Sequence, residues 1–208
     1  MFREALEYPT KSDDAVREYG IAILLTFGSI FVIPFFMLLG YYTKAIRQTP
    51  EGEENIPVFT DFVDLMVDGF KFFGIMISYI LAPIILISVP EMVGLTGSIG
   101  TAGEVFGLLL LLAALYMMPS ALVNFARNDQ VRSGFNLKEV GGKAFRPVYF
   151  KGFLMLIGAL MLISIAQITV MLVLFFTIIG IPALLIAMPA MRFYENLVYS
   201  RIIAEMAE

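Results

Sequence analysis

A run of forty consecutive residues, 152–191, carries no charged side chain. A helix that crosses the hydrocarbon core of a bilayer needs about 20 mostly apolar residues, so this run is long enough for two passes. Three further uncharged runs precede it, at residues 19–43, 72–90 and 105–126. The chain is therefore predicted to be a polytopic membrane protein.

We predict an all-α fold with about five transmembrane helices in a single membrane domain that covers residues 1–208. The predicted spans are about residues 19–42, 72–89, 105–125, 152–175 and 178–199. Composition agrees with this prediction, because 59% of the residues are hydrophobic, against about 45–50% in an ordinary soluble domain.

Two connecting segments have the pattern of amphipathic helices. In residues 60–72, the side chains of Asp61, Asp64 and Asp68 recur at steps of three and four, which places them on one helical face. In residues 136–150, an apolar stripe alternates with basic residues. Both segments are predicted to be interfacial helices that lie in the plane of the membrane.

Lys and Arg residues indicate which segments share one side of the membrane. With five passes, eleven basic residues lie on the side of the C-terminus and three lie at the N-terminus, so the positive-inside rule makes the C-terminal side cytoplasmic. Gly28, Ser29 and Pro34 allow an alternative in which the first run folds back as a hairpin. All fourteen basic residues then share one side. A lipid-exposed break leaves backbone groups unpaired, so we prefer the single pass, and the side of the N-terminus stays open.

A weak repeat connects three prolines. Pro34, Pro119 and Pro189 are each followed by aromatic residues and, about thirteen positions on, by a basic residue. The pattern favours structurally related first, third and fifth spans, although ordinary interfacial ends of spans produce the same pattern.

The residue types that are absent narrow the classes of function. The chain has no His and no Cys, which excludes Ser-His and Cys-His nucleophiles and most zinc and haem sites. We predict no catalytic residue, no metal and no cofactor. The predicted spans place no ionisable residue near a bilayer midplane, which argues against proton-coupled transport. The net charge of −4 argues against binding to nucleic acid.

Three groups of residues are candidate sites. The first is a basic patch that can bind lipid headgroups or simply set topology: Lys138, Lys143, Arg146 and Lys151. The second is a polar cluster at the ends of two spans, which can form a site or an interfacial salt bridge: Asn124, Arg127, Arg192, Glu195 and Asn196. The third is a set of neutral polar residues that can line a solute path or bond between helices: Ser164, Gln167 and Thr169.

Several short motifs resemble those of one family. They are Phe2-x-x-Ala5-Leu6-x-Tyr8-Pro9, Ser12-Asp13-Asp14, Ile33-Pro34 with Gly40-Tyr41 and Arg47, and Pro57-x-Phe59 with Leu65-x-Val67-Asp68-Gly69. In these motifs the chain resembles the archaeal membrane family called domain of unknown function 4013. The resemblance implies a protein of the archaeal cell membrane and supplies no activity, substrate or site.

We therefore expect a non-enzymatic, multi-pass protein of the cell membrane that organises anionic lipids or partner subunits, either as a homo-oligomer or with another membrane protein. The alternative is an oligomeric channel or passive transporter for a small solute. A membrane enzyme that uses Asp61, Asp64 and Asp68 is the least favoured hypothesis.

Overall fold

A computed structural model describes residues 2–12, 14–29, 31–49, 55–94, 97–177 and 180–207, apart from the side chain of Ile181. The regular structure in these ranges is helical throughout, which confirms the predicted all-α fold. The α-helices are α1 (Phe2–Glu7), α2 (Ala15–Gly28), α3 (Val32–Gln48), α4 (Phe62–Met92), α5 (Gly97–Asn128), α6 (Val131–Gly134), α7 (Leu137–Ala144), α8 (Pro147–Phe175) and α9 (Gly180–Met206). A short 3-10 helix (Tyr8–Thr10) follows α1.

Three helices are long and apolar enough to cross a membrane, namely α4, α5 and α8. In the most apolar part of α8 only 17% of the residues are buried, and large side chains such as Leu162 and Val173 are exposed. Exposed apolar surface of this extent is typical of contact with lipid. The predicted count of about five spans is not confirmed by these described residues.

Helices α2 and α3 form a helical hairpin. The ring of Tyr19, near the start of α2, and the ring of Tyr41, in the second half of α3, both pack against Phe193, with centroids 4.9 Å and 5.3 Å away. The two helices therefore run antiparallel and return to the same end of the molecule. The single pass that we preferred over residues 19–42 is wrong in this structure, and the hairpin alternative describes it.

The position of Pro34 explains this difference. Pro34 lies in the first turn of α3, where a missing backbone N–H costs nothing because that donor has no partner inside the helix. Its ring faces Gly28 across the turn, and a Cβ at position 28 would lie 3.1 Å from Pro34 Cγ. The proline therefore begins a new helix, whereas the prediction of a single pass had placed it inside a continuous one.

The base of this hairpin is fixed to the segment that precedes α4. The Tyr41 hydroxyl donates to the Pro57 carbonyl at 2.7 Å. The buried Glu18 carboxylate accepts a hydrogen bond from the Phe59 backbone N–H at 2.8 Å. Lys44 Nζ donates to the Val58 carbonyl at 2.9 Å. These three bonds hold an irregular segment against both helices of the hairpin.

Glycines allow α3 and α4 to cross at close range. A Cβ at Gly40 would overlap the backbone carbonyl of Leu65, and a Cβ at Gly69 would overlap the backbone carbonyl of Phe36. Small residues at a crossing let two helix backbones approach closely. This crossing holds the α2–α3 hairpin against the rest of the helices.

Two further pairs of helices are antiparallel. Gly107 of α5 packs on Ile87 of α4, and Lys71 at the other end of α4 bonds to Asp129, just after α5, at 3.1 Å. In the second pair, Gly152 near the start of α8 packs on Met206 at the end of α9. The described structure thus consists largely of three helical hairpins. Their second helices contain the three prolines of the weak repeat.

The two predicted interfacial helices need correction. Residues 60–72 do not form a separate helix, because α4 begins at Phe62 and continues without a break to Met92. In residues 136–150, α7 ends at Ala144 and α8 begins at Pro147. Helix α7 packs along the C-terminal half of α5 with Val140 and Ala144 fully buried, whereas Leu137 is 66% exposed. The separate helix predicted at residues 60–72 is therefore wrong, and the helix predicted at residues 136–150 is divided into a short α7 and the start of α8.

Candidate functional site

Basic side chains converge on one cavity formed by the end of α5, by α7 and by the start of α8. Its volume is about 440 Å³, and we call it the basic cavity. It is lined by three of the four residues of the predicted basic patch together with residues of α5 and α7: Lys138, Lys143, Arg146, Arg127, Asn124, Asn128, Glu139 and Gly142. The fourth predicted residue, Lys151, is exposed on α8 and does not line this cavity.

Hydrogen bonds hold α7 against α5. The Tyr116 hydroxyl donates to the Ala144 carbonyl at 2.8 Å, and the Ser120 hydroxyl donates to the Val140 carbonyl at 3.2 Å. The Asn136 side chain caps the N-terminus of α7 by accepting from the Glu139 N–H. The Ala144 carbonyl at the end of α7 lacks a partner within the helix, and the Tyr116 hydroxyl satisfies it. Together the two hydroxyls fix the position of the basic residues of α7.

Asn124 forms the inner wall of the basic cavity. It is 2% exposed, and its Nδ2 donates to the Ser133 carbonyl at 2.8 Å and to Glu139 Oε2 at 3.0 Å. Its Oδ1 accepts a hydrogen bond from Lys143 Nζ at 3.4 Å. One buried amide therefore positions both a carboxylate and an ammonium group of α7.

The electrostatics of the basic cavity favour an anion. Four cationic side chains and one carboxylate line it. Burial, followed by repulsion from Arg127 and Arg146, lowers the pKa of Lys143 despite the nearby Glu139. A bound anion would stabilise the charged form of this lysine. Clustered cations in a cleft are a physical signal of a binding site.

The predicted polar cluster is divided between two places. Asn124 and Arg127 line the basic cavity, whereas the other three residues lie on α9. There, Arg192 Nη1 contacts Glu195 Oε2 at 2.8 Å, and Asn196 Nδ2 donates to the Arg192 carbonyl at 2.9 Å.

The predicted solute path is divided as well. Gln167 Nε2 donates to Glu195 Oε2 at 3.1 Å, which connects α8 with α9. The Thr169 hydroxyl bonds back to the Ile165 carbonyl of its own helix, and Thr169 is exposed. Ser164 is half-buried. The three side chains therefore do not line one continuous passage in the described structure.

Sequence reasoning missed two polar residues of the basic cavity, as well as Gly142, and one contact between helices. Glu139 and Asn128 were not selected, although the i, i+4 spacing of Asn124 and Asn128 on a helix was a signal for a shared face. The bond between Gln167 and Glu195 had no signal in the sequence, because it depends on the register of α8 against α9.

Helices that are long, apolar and exposed to this extent define a helical membrane protein. Residues 24–186 match the family described as "Protein of unknown function (DUF4013)". This match covers more than half of the chain, so the protein belongs to that family. Comparisons with curated proteins and with solved structures give no match.

Proposed function

We propose that this protein binds the headgroup of an anionic membrane lipid in the basic cavity and organises that lipid at the membrane surface, without catalysing a reaction. The observation that carries this proposal is the convergence of Lys143, Arg146 and Arg127 on one cavity whose wall is the buried amide of Asn124. Charge-assisted hydrogen bonds from Arg and Lys are the usual means of holding a phosphate in proteins.

The surroundings of the basic cavity also fit a lipid. Large apolar side chains that follow Lys143 in the sequence are exposed, among them Phe145 at 82% and Val148 at 62%. Basic residues beside exposed apolar residues are typical of the boundary between headgroups and acyl chains. The cavity would hold the polar part of a lipid, while these side chains would contact its chains.

A free inorganic anion could use the same cations, but it would gain nothing from Phe145 and Val148. The archaeal cell membrane, with the C-terminal side cytoplasmic, stays the predicted location. The alternative function, a channel or passive transporter, has less support because Thr169 bonds back to its own helix on an exposed face.

Native mass spectrometry after purification from mixed micelles tests the proposal. We expect the protein to retain phosphatidylglycerol in preference to phosphatidylcholine, and the double variant Lys143→Gln/Arg146→Gln to lose this preference. Lys151→Gln is the matched control, because it removes a nearby positive charge that lies outside the cavity. Equal loss in the control variant, or equal retention of both lipids by the unaltered protein, would contradict the proposal.

A further inference from the structure

A second cavity lies between α3, α4, α5, α8 and α9, separate from the basic cavity. Its volume is about 300 Å³, the space of about ten water molecules. One wall consists of polar side chains of α9, and the opposite walls are aromatic or apolar. The residues that give it its chemical character are Glu195, Asn196, Tyr199, Tyr42, Phe72 and Met76. We call it the central cavity.

Glu195 supplies a carboxylate whose hydrogen-bonding capacity is only partly used. Its side chain is 16% exposed, and the bonds from Gln167 and Arg192 both reach Oε2. Among the described residues, no hydrogen bond reaches Oε1. A carboxylate oxygen in a mostly buried position gains strongly from a hydrogen-bond donor or a cation.

Aromatic rings surround the same space. Tyr42, Phe72 and Tyr199 come from three different helices and line the central cavity together. Within the described structure the Tyr199 hydroxyl makes no hydrogen bond. The faces of aromatic rings attract cations, and several rings around one space are the usual way to hold a quaternary ammonium group. The flexible side chain of Met76 allows the wall to adapt to different shapes.

We propose that the central cavity binds a small organic ammonium ion, with its charge between Glu195 and the aromatic rings and its alkyl groups on the apolar wall. Arg192 is the nearest opposing charge, but its side chain is 68% exposed and does not line the cavity. The positive charge of Arg192 therefore weakens the binding of a cation, but its side chain does not occupy the central cavity. This ligand is independent of lipid binding in the basic cavity, since the two cavities share no lining residue.

Isothermal titration calorimetry of the purified full chain tests this proposal with choline and with 3,3-dimethylbutanol, which has the same shape but a carbon atom in place of the charged nitrogen. We expect choline to bind at least tenfold more tightly than the neutral compound. Equal binding of the two compounds, or the absence of measurable choline binding, overturns the proposal.

Variants separate charge recognition from general packing. We expect Glu195→Gln and Tyr199→Leu to weaken choline binding at least tenfold, whereas Tyr199→Phe, which keeps the ring, changes it less than threefold. Arg192→Gln should strengthen binding, because it removes the opposing charge. Glu205→Gln is the control, since Glu205 pairs with Arg201 at the end of α9 and lies outside the cavity. If Arg192→Gln leaves affinity unchanged and Glu205→Gln weakens it as much as Glu195→Gln does, the assignment of the site is wrong.

Discussion

Gly69→Ala gives the sharpest test of how the helices are assembled. The added Cβ would overlap the backbone carbonyl of Phe36 in α3. A side chain can rotate away from such a contact, but a helix backbone cannot, so α3 and α4 must separate. Overpacking of a core costs about 1–3 kcal/mol when side chains can adjust, and we expect the upper end of this range here. Alanine regains about 1 kcal/mol of helix propensity, so the net loss should be about 2 kcal/mol.

Gly74→Ala is the matched control for this substitution. Gly74 lies in the same helix, and a Cβ there would meet no atom within 4 Å. This variant should be as stable as the unaltered protein or more stable by up to about 1 kcal/mol. Reversible unfolding in mixed micelles, followed by circular dichroism, measures both free energies. If Gly69→Ala and Gly74→Ala are equally stable, the close crossing of α3 and α4 is refuted.

Three further predictions concern topology and the basic cavity. Because the α2–α3 hairpin returns to its starting side, single cysteines that replace Thr10 or Lys138 should react with a membrane-impermeant maleimide from the same side of sealed vesicles. A cysteine that replaces Ser98 should react from the other side. If the cysteines at positions 10 and 98 react from the same side, the single pass is correct. Burial and nearby cations lower the pKa of Lys143, so its amine should react with acetic anhydride at pH 8 faster than that of a free lysine. Phosphatidylglycerol should slow this reaction, since a bound anion raises the pKa of the lysine. Equal rates in phosphatidylglycerol and phosphatidylcholine would argue against an anion site. Asn124→Leu should destabilise the protein by about 1–3 kcal/mol, because it leaves the buried partners of the amide unsatisfied. It should also weaken retention of phosphatidylglycerol. A change in the free energy of unfolding below about 0.5 kcal/mol, the size of an ordinary surface effect, would contradict this role.

The long apolar helices could be predicted from the sequence because their signal is local. The uncharged runs at residues 72–90 and 105–126 lie within α4 and α5, and residues 152–175 lie within α8. Apolar length alone decides whether a helix can cross a bilayer. The beginnings and ends of these helices were predicted less well, since α4 starts ten residues before its uncharged run.

The course of the first run could not be decided from local signals. Pro34 fits either a kink inside a helix or the first turn of a new one. The distribution of Lys and Arg did contain the answer, because only the hairpin places all fourteen on one side. The cost of an exposed backbone break favours a single pass, but the structure reduces this cost with local hydrogen bonds in the turn. The Ser29 N–H donates to the Thr26 carbonyl at 3.2 Å, and the Phe31 N–H donates to the Gly28 carbonyl at 2.8 Å.

The sites were harder to predict than the helices because they depend on helix register. Lys143 and Arg146 were selected for their charge, but their convergence with Arg127 requires α7 to pack along α5. Glu195 is expected at the end of a span, whereas its contact with Gln167 in the C-terminal half of α8 depends on the register of α8 against α9.

The most direct test of lipid binding is the distance between Lys143 Nζ and the phosphorus of a bound headgroup. Solid-state nuclear magnetic resonance with ¹⁵Nζ-labelled lysine measures the ¹⁵N–³¹P dipolar coupling in vesicles. Binding predicts a separation of about 4 Å in phosphatidylglycerol, as expected for a direct charge-assisted hydrogen bond, and loss of the coupling in Lys143→Gln but not in Lys151→Gln. An unchanged coupling in Lys143→Gln, or an equal coupling in phosphatidylcholine, would contradict the proposal.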